Sequence, residues 1–572
     1  MNVAERRRLT AVARGAAPAD LYVRGGTLLN VYTGELYPAN VAVHGERIAY
    51  VGARDDMVGA RTTVLDAGGR VLVPGYVDPH VHPAHVITPS ALARHVLALG
   101  TTTLFADTLQ FWELGGARAF TAVADALARS PVKFYWMIRP HAQSRTIDEA
   151  RRFPLRDLAR ALAHPSAVAA GEVTRWPEVH AGDPDLIARL DLALARGQRV
   201  EGHTAGASRE KLAAIAAGGL SSDHEPITAR EVLDRARLGI AVMLRESSLR
   251  PDLSDLLDAL KEAPGLAARA MLTADGSMPA FVLEHGFVDH LIRTAMQRGV
   301  PPLDAYRMAT LNPATYFGKD ADLGGIAPGR YADLCLLRDL SEPRPETVVA
   351  RGRVAAREGR TLVPIPEPSW RRVFSTPAAR LTARWRARDA DFRLPGRATF
   401  PVLRLVSAVI TKVEERAPQP GDLHAALVDR RGRWVAPALV AGFADRLDGL
   451  ATTISTDFNI LTLGRRPESM ARAVNRLLEL HGGVVLVDGD DVAWELPLPL
   501  GGIMTHAELP EAARCERELS RHLTDRGYSF HDPFFTMLFL SADFLPAARL
   551  TPLGVWDVKA GRVLLPSRPR KW

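Results

Sequence analysis

Hydrophobic and polar positions follow successive patterns along this chain of 572 residues. Between residues 20 and 72, short apolar segments alternate with glycines, which is typical of a small β-meander. From Pro74 to about Phe317, strand-like apolar runs alternate instead with helical patterns, and we count eight such units. Eight β-then-α units over about 245 residues predict a (β/α)8 barrel.

The meander pattern returns after the predicted barrel, around residues 326–355. Two distant segments with one pattern predict a small β-sandwich built from both flanks of the barrel. A mixed α/β region follows, in which a helix over residues 468–478 runs into a strand over 482–488. The expected parts of this α/β protein are an N-terminal helix with the first half of the sandwich (1–73), the barrel (74–322), the second half of the sandwich (323–359), a Pro- and Arg-rich connector (360–395) and a C-terminal α/β domain (396–572).

Composition narrows the class of protein. A hydrophobic content of 47% with 24% charged residues is typical of a globular chain. The formal net charge is +7, but basic and acidic residues are interleaved, so we expect no nucleic-acid partner. No apolar run reaches the roughly 20 residues that span a bilayer, so we expect no membrane partner either. The only cysteines, Cys335 and Cys515, are far apart, which favours a reducing cytoplasm.

Two histidines end the apolar run that opens the predicted barrel. His80 and His82 are two positions apart, and residues i and i+2 of a strand face the same side. Both imidazoles can therefore bind one cation. Two histidines that merely share a solvated strand end are the commoner explanation of such a pair, so the pair needs partners elsewhere in the chain.

Those partners lie at the ends of later strand-like runs. Glu172, His203 and His224 end the fourth, fifth and sixth runs, and Asp275 follows the last. The carboxyl ends of barrel strands meet at one mouth, where imidazoles and carboxylates suit Zn, Fe or Mn. Each residue alone has a simpler explanation: an ion pair of Glu172 with Arg175, a helix cap at Asp275, or a buried hydrogen-bonded histidine. The whole set at strand ends predicts a metal site.

Segments along nearly the whole chain resemble the adenine deaminases of the amidohydrolase superfamily. They are PGYVDPHVH (74–82), GTTTLFAD (100–107), GEVTRWPEV (171–179), EGHTAG (201–206), DHEP (223–226), LGGIAPGRYADLCLL (323–337), AVNRLLELHGGVVLV (473–487) and ELPLPLGGIM (495–504). The resemblance implies a metal-dependent (β/α)8 barrel, a C-terminal domain of the adenine deaminase type, and a homodimer or higher homo-oligomer.

The resemblance also implies the site residues. The implied ligands of two divalent metal ions (Mn, Fe or Zn) are His80, His82, Glu172, His203 and His224. Glu172 would bridge the two ions, and a metal-bound hydroxide would attack a small-molecule substrate. The expected catalytic residues are Asp275 as the proton shuttle, Glu172, and His224, which could polarise the electrophile.

Five further residues are candidates for substrate contact: His85, Asp107, Glu225, Arg245 and Glu246. Glu225 shares with His224 the potential role of polarising the electrophile. A histidine exposed at the rim is the alternative for His85, and an internal ion pair is the alternative for Arg245 with Glu246.

The sequence departs from adenine deaminases at four places. Pro83-Ala84-His85 stands for Ile-Glu-Ser, and Thr108-Leu109-Gln110 stands for Pro-His-Glu. Ala274 replaces the first Asp of a Thr-Asp-Asp motif, so Asp275 either takes over its role or serves as the second Asp. Residues 455–459 lack two histidines of a C-terminal motif.

We therefore expect a hydrolytic deaminase of adenine or a related aminopurine or N-heterocycle that releases ammonia. Hydrolysis of a cyclic or acyl amide C–N bond at the same binuclear site is the alternative, since a fold does not determine a substrate. A catalytically inactive binding relative is the third possibility.

Overall fold

The computed structural model describes residues 1–376, 379, 381 and 384–570. The remaining positions fall within the predicted connector and at the C-terminus, so the prediction of a connector over 360–395 lies partly outside the described residues. The domain boundaries expected from the sequence stay predictions. In the described part of the chain, no helix combines the length and the apolar character that crossing a membrane requires.

The chain begins with a helix and five strands. Asn2 and Glu5 form a capping box, in which each side chain accepts a hydrogen bond from the other residue's backbone N–H. These elements are α1 (Val3–Ala13), β1 (Leu21–Leu29), β2 (Leu36–His44), β3 (Arg47–Gly52), β4 (Thr63–Asp66) and β5 (Val71–Pro74). Only Gly75 separates β5 from the first barrel strand.

The next eight strands form a parallel barrel in chain order. They are β6 (Tyr76–Val81), β7 (Thr101–Asp107), β8 (Lys133–Ile138), β9 (Ala167–Val173), β10 (Arg199–Gly202), β11 (Ser222–Asp223), β12 (Ala241–Arg245) and β13 (Met271–Thr273). A parallel bridge between Val81 and Asp275 joins the two ends of the sheet. All residues of β7 and β9 are buried, as expected for strands that are covered on both faces. The predicted barrel is confirmed.

Helices alternate with these strands. They are α2 (Pro89–Ala98), α3 (Leu109–Leu127), α4 (Glu149–Arg152), α5 (Leu155–Leu162), α6 (Trp176–Ala181), α7 (Pro184–Leu194), α8 (Arg209–Ala217), α9 (Ala229–Ala236), α10 (Leu253–Leu256), α11 (Asp258–Glu262), α12 (Pro279–His285), α13 (Val288–Gln297), α14 (Pro302–Met308) and α15 (Leu311–Tyr316), with a 3₁₀ helix over Pro264–Ala268. Thr88, Asp183 and Thr228 cap three of them, since each side chain accepts a hydrogen bond from the backbone N–H three residues later.

The chain then returns to the first sheet. Its strands are β14 (Leu334–Leu337), β15 (Thr347–Ala350), β16 (Arg353–Arg357) and β17 (Arg360–Thr361). They join β1–β5 in one nine-stranded sheet, in which β14 pairs antiparallel with β5. The prediction that both flanks of the barrel combine is confirmed. Because β5 leads into β6, this sheet is connected directly to the strand that carries His80.

The C-terminal region has the predicted mixed α/β character. Its helices are α16 (Trp370–Val373), α17 (Asp389–Phe392), α18 (Pro467–Glu479), α19 (Leu509–Thr524) and α20 (Pro533–Phe539). Its strands are β18 (Phe400–Leu405), β19 (Thr411–Arg416), β20 (Leu423–Val428), β21 (Trp434–Ala441), β22 (Gly449–Thr452), β23 (Ile460–Gly464), β24 (Gly483–Asp488), β25 (Asp491–Pro497), β26 (Ala548–Thr551), β27 (Gly554–Asp557), β28 (Arg562–Pro566) and β29 (Arg568–Pro569). β18–β25 and β29 form a second nine-stranded sheet, and β26–β28 form a small third one.

Candidate metal centre and cavity

Two imidazoles and a carboxylate meet where the first and last barrel strands are joined. The Nε2 atoms of His80 and His82 lie 3.3 Å apart. Oδ1 of Asp275 lies 3.4 Å from Nε2 of His80 and 3.3 Å from Nε2 of His82. The bridge from Val81 to Asp275 holds the two strand ends side by side. The three donor atoms therefore form a compact triangle.

A second group lies beside the first and contains Glu172, His203 and His224. Oε1 of Glu172 contacts Nδ1 of His203 and lies 3.4 Å from Nε2 of His224. Oε2 of the same carboxylate lies 3.8 Å from Nε2 of His82. The two oxygens of Glu172 thus face different groups, so this carboxylate links them.

Both groups have the donor chemistry of a divalent cation site. Within each group, one nitrogen or oxygen per residue lies within 4.8 Å of the others. Both ring nitrogens of His203 are buried without a hydrogen-bond partner among the described residues, because the close contact with Glu172 lacks hydrogen-bond geometry. Buried polar atoms without a partner are rare and often indicate a ligand that binds there. The residues therefore fit a metal centre.

Burial disfavours the charged forms of the side chains at this centre, whereas neighbouring charges and hydrogen bonds favour them. Burial opposes charge on His80, but contacts with Glu201 and Asp275 raise its pKa to about 10. Burial also opposes charge on Asp275, yet hydrogen bonds from His80 and His82 hold its pKa well below the usual range. Asp275 is therefore an ionised carboxylate at neutral pH. Burial raises the pKa of nearby Asp78 to about 7, against hydrogen bonds that include one from Thr273.

Three of the predicted substrate contacts line a cavity next to these groups: His85, Glu225 and Arg245. The ring of His85 stacks on that of His82, with centroids 5.3 Å apart and planes at 12°. Burial lowers the pKa of His85 to about 3, so its ring is neutral. Arg245 contacts Glu225 and lies 3.5 Å from Oδ2 of Asp275. An internal ion pair of Arg245 is thus present, with Glu225 as the partner.

The structure places the other two predicted substrate contacts, Asp107 and Glu246, outside the cavity lining. Asp107 is fully buried, and its Oδ2 lies 3.4 Å from Nδ1 of His82. Glu246 follows Arg245 directly, and adjacent residues leave a strand on opposite sides. Its Oε2 accepts a hydrogen bond of 3.0 Å from the backbone N–H of Leu253, the first residue of α10.

The cavity has a volume of about 110 Å³ and one predominantly apolar wall. For comparison, an engineered protein cavity of about 150 Å³ binds benzene, so the space suits a ring-sized molecule. Much of this wall comes from α20 and the residues that follow it. The aromatic residues that this segment contributes to the wall are Phe534, Phe535, Phe539 and Phe544. A hydrogen bond of 2.7 Å from Ser248 to Asp532 ties the start of α20 to the barrel.

Two of these phenylalanines contact the imidazoles directly. The ring of Phe535 meets that of His85 edge-on, with centroids 5.7 Å apart and planes at 73°. The ring of Phe544 meets that of His203 at 5.1 Å and 83°. Aromatic rings favour such edge-to-face geometry. The C-terminal region therefore covers the metal centre.

The segment 455–459 lacks the two histidines of the adenine deaminase motif and is hydrogen-bonded within the protein. Oγ of Ser455 lies 2.8 Å from the carbonyl oxygen of Asn459, to which it donates. The hydroxyls of Thr456 and Ser144 share a hydrogen bond of 2.7 Å. The ring of Phe458 contributes to the cavity wall instead. This segment joins the C-terminal region to the barrel.

Comparison of the sequence with known protein families agrees with a barrel followed by a separate C-terminal region. The model of the amidohydrolase family matches residues 71–355, and that of the adenine deaminase C-terminal domain matches residues 406–562. An adenine deaminase of Methylobacterium nodulans is 36% identical over 98% of this chain and 100% of its own length. An adenine deaminase of Moorella thermoacetica is 34% identical over 96% of each chain. The chain belongs to the adenine deaminase family of amidohydrolases. It is thus a hydrolase of C–N bonds other than peptide bonds, in a metal-dependent family.

Two buried residues of this adenine deaminase family member were not predicted from its sequence, and the first is Glu201. Its Oε1 lies 3.3 Å from Nδ1 of His80 and 2.9 Å from Nδ1 of His224. Such a carboxylate fixes both rings so that their Nε2 atoms face the metal centre. The sequence does contain a signal for Glu201: it lies on β10 two residues before His203, which directly follows that strand, and this spacing places both side chains on one side.

We expect Glu201→Gln to weaken metal binding by roughly 10- to 100-fold, because the carboxylate orients two ligands and increases their basicity. Competition with a metal-sensitive chelator measures this affinity. Glu210→Gln, at an exposed position of α8, is the control and should bind as the wild type does. Equal affinities in the two variants would show that Glu201 does not orient the ligands.

The second unpredicted residue is Arg139, which directly follows β8 and is fully buried. Its guanidinium contacts the carboxylates of both Asp107 and Glu172. It also donates a hydrogen bond of 2.9 Å to the backbone carbonyl of Glu172. A planar guanidinium can bind carboxylates in this fixed geometry. Arg139 therefore holds Glu172 in the orientation that faces the histidines.

We expect Arg139→Leu to lower the free energy of unfolding by roughly 3–5 kcal/mol, because it leaves Asp107 and Glu172 buried without a cation. Urea unfolding of the metal-free protein measures the loss. A divalent ion should restore part of this stability by neutralising Glu172. Arg151→Leu, at an exposed position of α4, is the control. If both variants are equally stable, the guanidinium does not balance these carboxylates.

Proposed function

We propose that this protein hydrolytically deaminates adenine or a related aminopurine and releases ammonia. The relatives that align with nearly the whole chain are named adenine deaminases. The observation that carries the proposal is the set of buried histidine and carboxylate donors at the barrel mouth, next to a ring-sized cavity.

The proposed cofactors are two divalent metal ions, either Mn, Fe or Zn. One ion would be held by His80, His82 and Asp275, and the other by Glu172, His203 and His224, with Glu172 shared between them. Bound ions would supply Lewis acidity and lower the pKa of water in the cavity.

The chain's own residues would move the protons. Water would add its oxygen to the carbon that carries the amine, and the C–N bond would break. Asp275 would accept the proton of that water and deliver it to the leaving nitrogen, which departs as ammonia. Its position beside His80 and His82, with Arg245 near its other oxygen, supports this role. His224 or Glu225 would polarise the electrophile.

The test is a substrate panel with purified protein that is first stripped of metal and then loaded with Mn(II), Fe(II) or Zn(II). We expect ammonia release from adenine or another aminopurine in the loaded protein alone. Ring opening of cyclic amides without purine deamination would replace the proposal with amide hydrolysis. A protein that binds none of the metals would be an inactive relative.

Two further expectations belong to the proposal: a cytoplasmic location and a homodimer or larger homo-oligomer. Cys335 and Cys515 are both free thiols, which supports a reducing compartment. Sedimentation velocity of the metal-loaded protein tests the oligomeric state, and a single monomeric species would contradict it.

A further inference from the structure

Most polar side chains of the cavity lining are already engaged by the protein. The amide oxygen of Gln143 contacts Arg139, and Oγ of Ser247 accepts a hydrogen bond of 3.3 Å from the backbone N–H of Arg250. The hydroxyl of Thr453 donates to the carbonyl oxygen of Gly502. Together with the bonds of the segment 455–459, these contacts leave few groups to recognise a bound molecule.

Gln110 is different from these side chains. It lines the cavity and is only 2% exposed, yet its amide oxygen has no hydrogen-bond partner among the described residues. It lies in the first turn of α3, which a hydrogen bond of 2.6 Å from the backbone N–H of Leu109 to Asp107 holds in place. An unsatisfied buried amide is costly, so a group that binds in the cavity is the natural partner.

The charged side chains of the cavity lining indicate which kind of molecule binds next to Gln110. The guanidinium of Arg245 contacts Glu225 and lies 3.4 Å from Asp252. Nε of Arg250 lies 3.0 Å from the same Asp252. Every arginine in the described lining is thus paired with a carboxylate, and no cation there is free for a phosphate or carboxylate group. The remaining wall is largely apolar, with Phe458 and four further phenylalanines.

We propose that Gln110 determines specificity by hydrogen-bonding the heteroatom edge of a neutral, planar amino-heterocycle in its free-base form. A carboxamide can accept from an amine N–H and donate to an adjacent ring nitrogen, as Gln does with the edge of adenine in DNA. The apolar wall then packs on the rest of the ring system. This inference rests on the proposed function and adds to it the residue that selects the free base.

The first experiment measures binding by calorimetry and turnover with metal-loaded protein. We expect Gln110→Leu to weaken adenine binding and raise KM by roughly 5- to 100-fold, the range of one amide–base contact. Metal content and unfolding temperature should stay at wild-type values. Gln297→Leu, at an exposed position of α13, is the matched control. Unchanged adenine binding in Gln110→Leu would overturn the inference.

The second experiment locates the contact with 1-deazaadenine and 7-deazaadenine, each of which lacks one of the two ring nitrogens, N1 and N7, that flank the amino group on its two hydrogen-bonding edges. One of them should lose less affinity than adenine does on Gln110→Leu, because it keeps the amine for the amide oxygen but has already lost the ring nitrogen for the amide N–H. Equal sensitivity of adenine and both analogues would overturn the inference, as would adenosine monophosphate that binds as tightly as adenine. If Gln110→Leu weakens adenine binding but wild type releases no ammonia, the inference stands and the proposed deamination fails.

Discussion

Glu172→Gln should remove metal binding and turnover together. The two oxygens of Glu172 face both donor groups, and its exchange for a neutral amide removes a negative charge from between them. We expect the metal content to fall by at least one ion per chain and turnover to fall by roughly a thousandfold or more. Elemental analysis of the purified variant and ammonia release from the best aminopurine check the two effects.

The comparison variant for Glu172→Gln is Glu178→Gln. Glu178 lies in the helix that follows the same strand, and it pairs with Arg145 near the surface, away from the cavity. Its metal content and turnover should match those of the wild type. Full metal occupancy in Glu172→Gln would show that Glu172 is not a ligand, whatever happens to turnover. His82→Ala should repeat the result from the other donor group.

Asp275→Asn should reduce turnover by about 10²- to 10⁴-fold, the contribution that a positioned proton-transfer group usually makes. Asn keeps an oxygen that can face His80 and His82, but it neither accepts nor delivers the proton. We therefore expect adenine to bind and most of the metal to remain. Calorimetry, elemental analysis and single-turnover ammonia release separate these three quantities.

The matched control for this variant is Asp258→Asn, which changes a partly exposed carboxylate of α11 that pairs with Lys261, away from the cavity. A loss of metal in Asp275→Asn that accounts for the whole loss of activity would make Asp275 a ligand without a shuttle role. Wild-type turnover in a metal-loaded Asp275→Asn protein would remove it from the mechanism. Ala274 cannot replace it, because its side chain is a methyl group.

The barrel and the set of donor residues could be predicted from the sequence, because the same local pattern recurs in each β/α unit. Each apolar run ends in a polar residue, and parallel strands bring their carboxyl ends to one mouth. His203 and His224 could thus be placed beside His82 although more than a hundred residues separate them along the chain. The groups of donor side chains that could hold a metal ion contain every residue that this rule suggested.

Glu201 and Arg139 were missed for a physical reason. They act on other side chains, and their partners are decided by how neighbouring strands face each other inside the barrel. Arg139 also lies at a strand end, but a positively charged side chain does not bind metal ions, so the search for ligands passed over it. Glu246 is the opposite case, because the sequence predicts a substrate contact that the structure does not place at the cavity. It is the next residue after Arg245, and adjacent residues of a strand face opposite sides.

The apolar wall was also missed, because nothing local relates residues 533–545 to residues 82–85. Phenylalanines of a short helix are as consistent with a hydrophobic core as with a cavity. Only the packing of α20 over the barrel, which the bond from Ser248 to Asp532 helps to hold, gives them contact with His85 and His203. Such long-range contacts depend on the complete tertiary structure.

That wall has a consequence for biosynthesis. The donors of the metal centre all lie before residue 276, whereas Phe535 and Phe544 are among the last forty residues of the chain. During translation the barrel leaves the ribosome long before α20 is made, and N-terminal units generally fold first. A nascent chain therefore has the means to capture its ions before it can enclose a substrate. We therefore expect that the proposed metal ions bind, and that the substrate cavity closes, in two separate steps during the synthesis of each molecule.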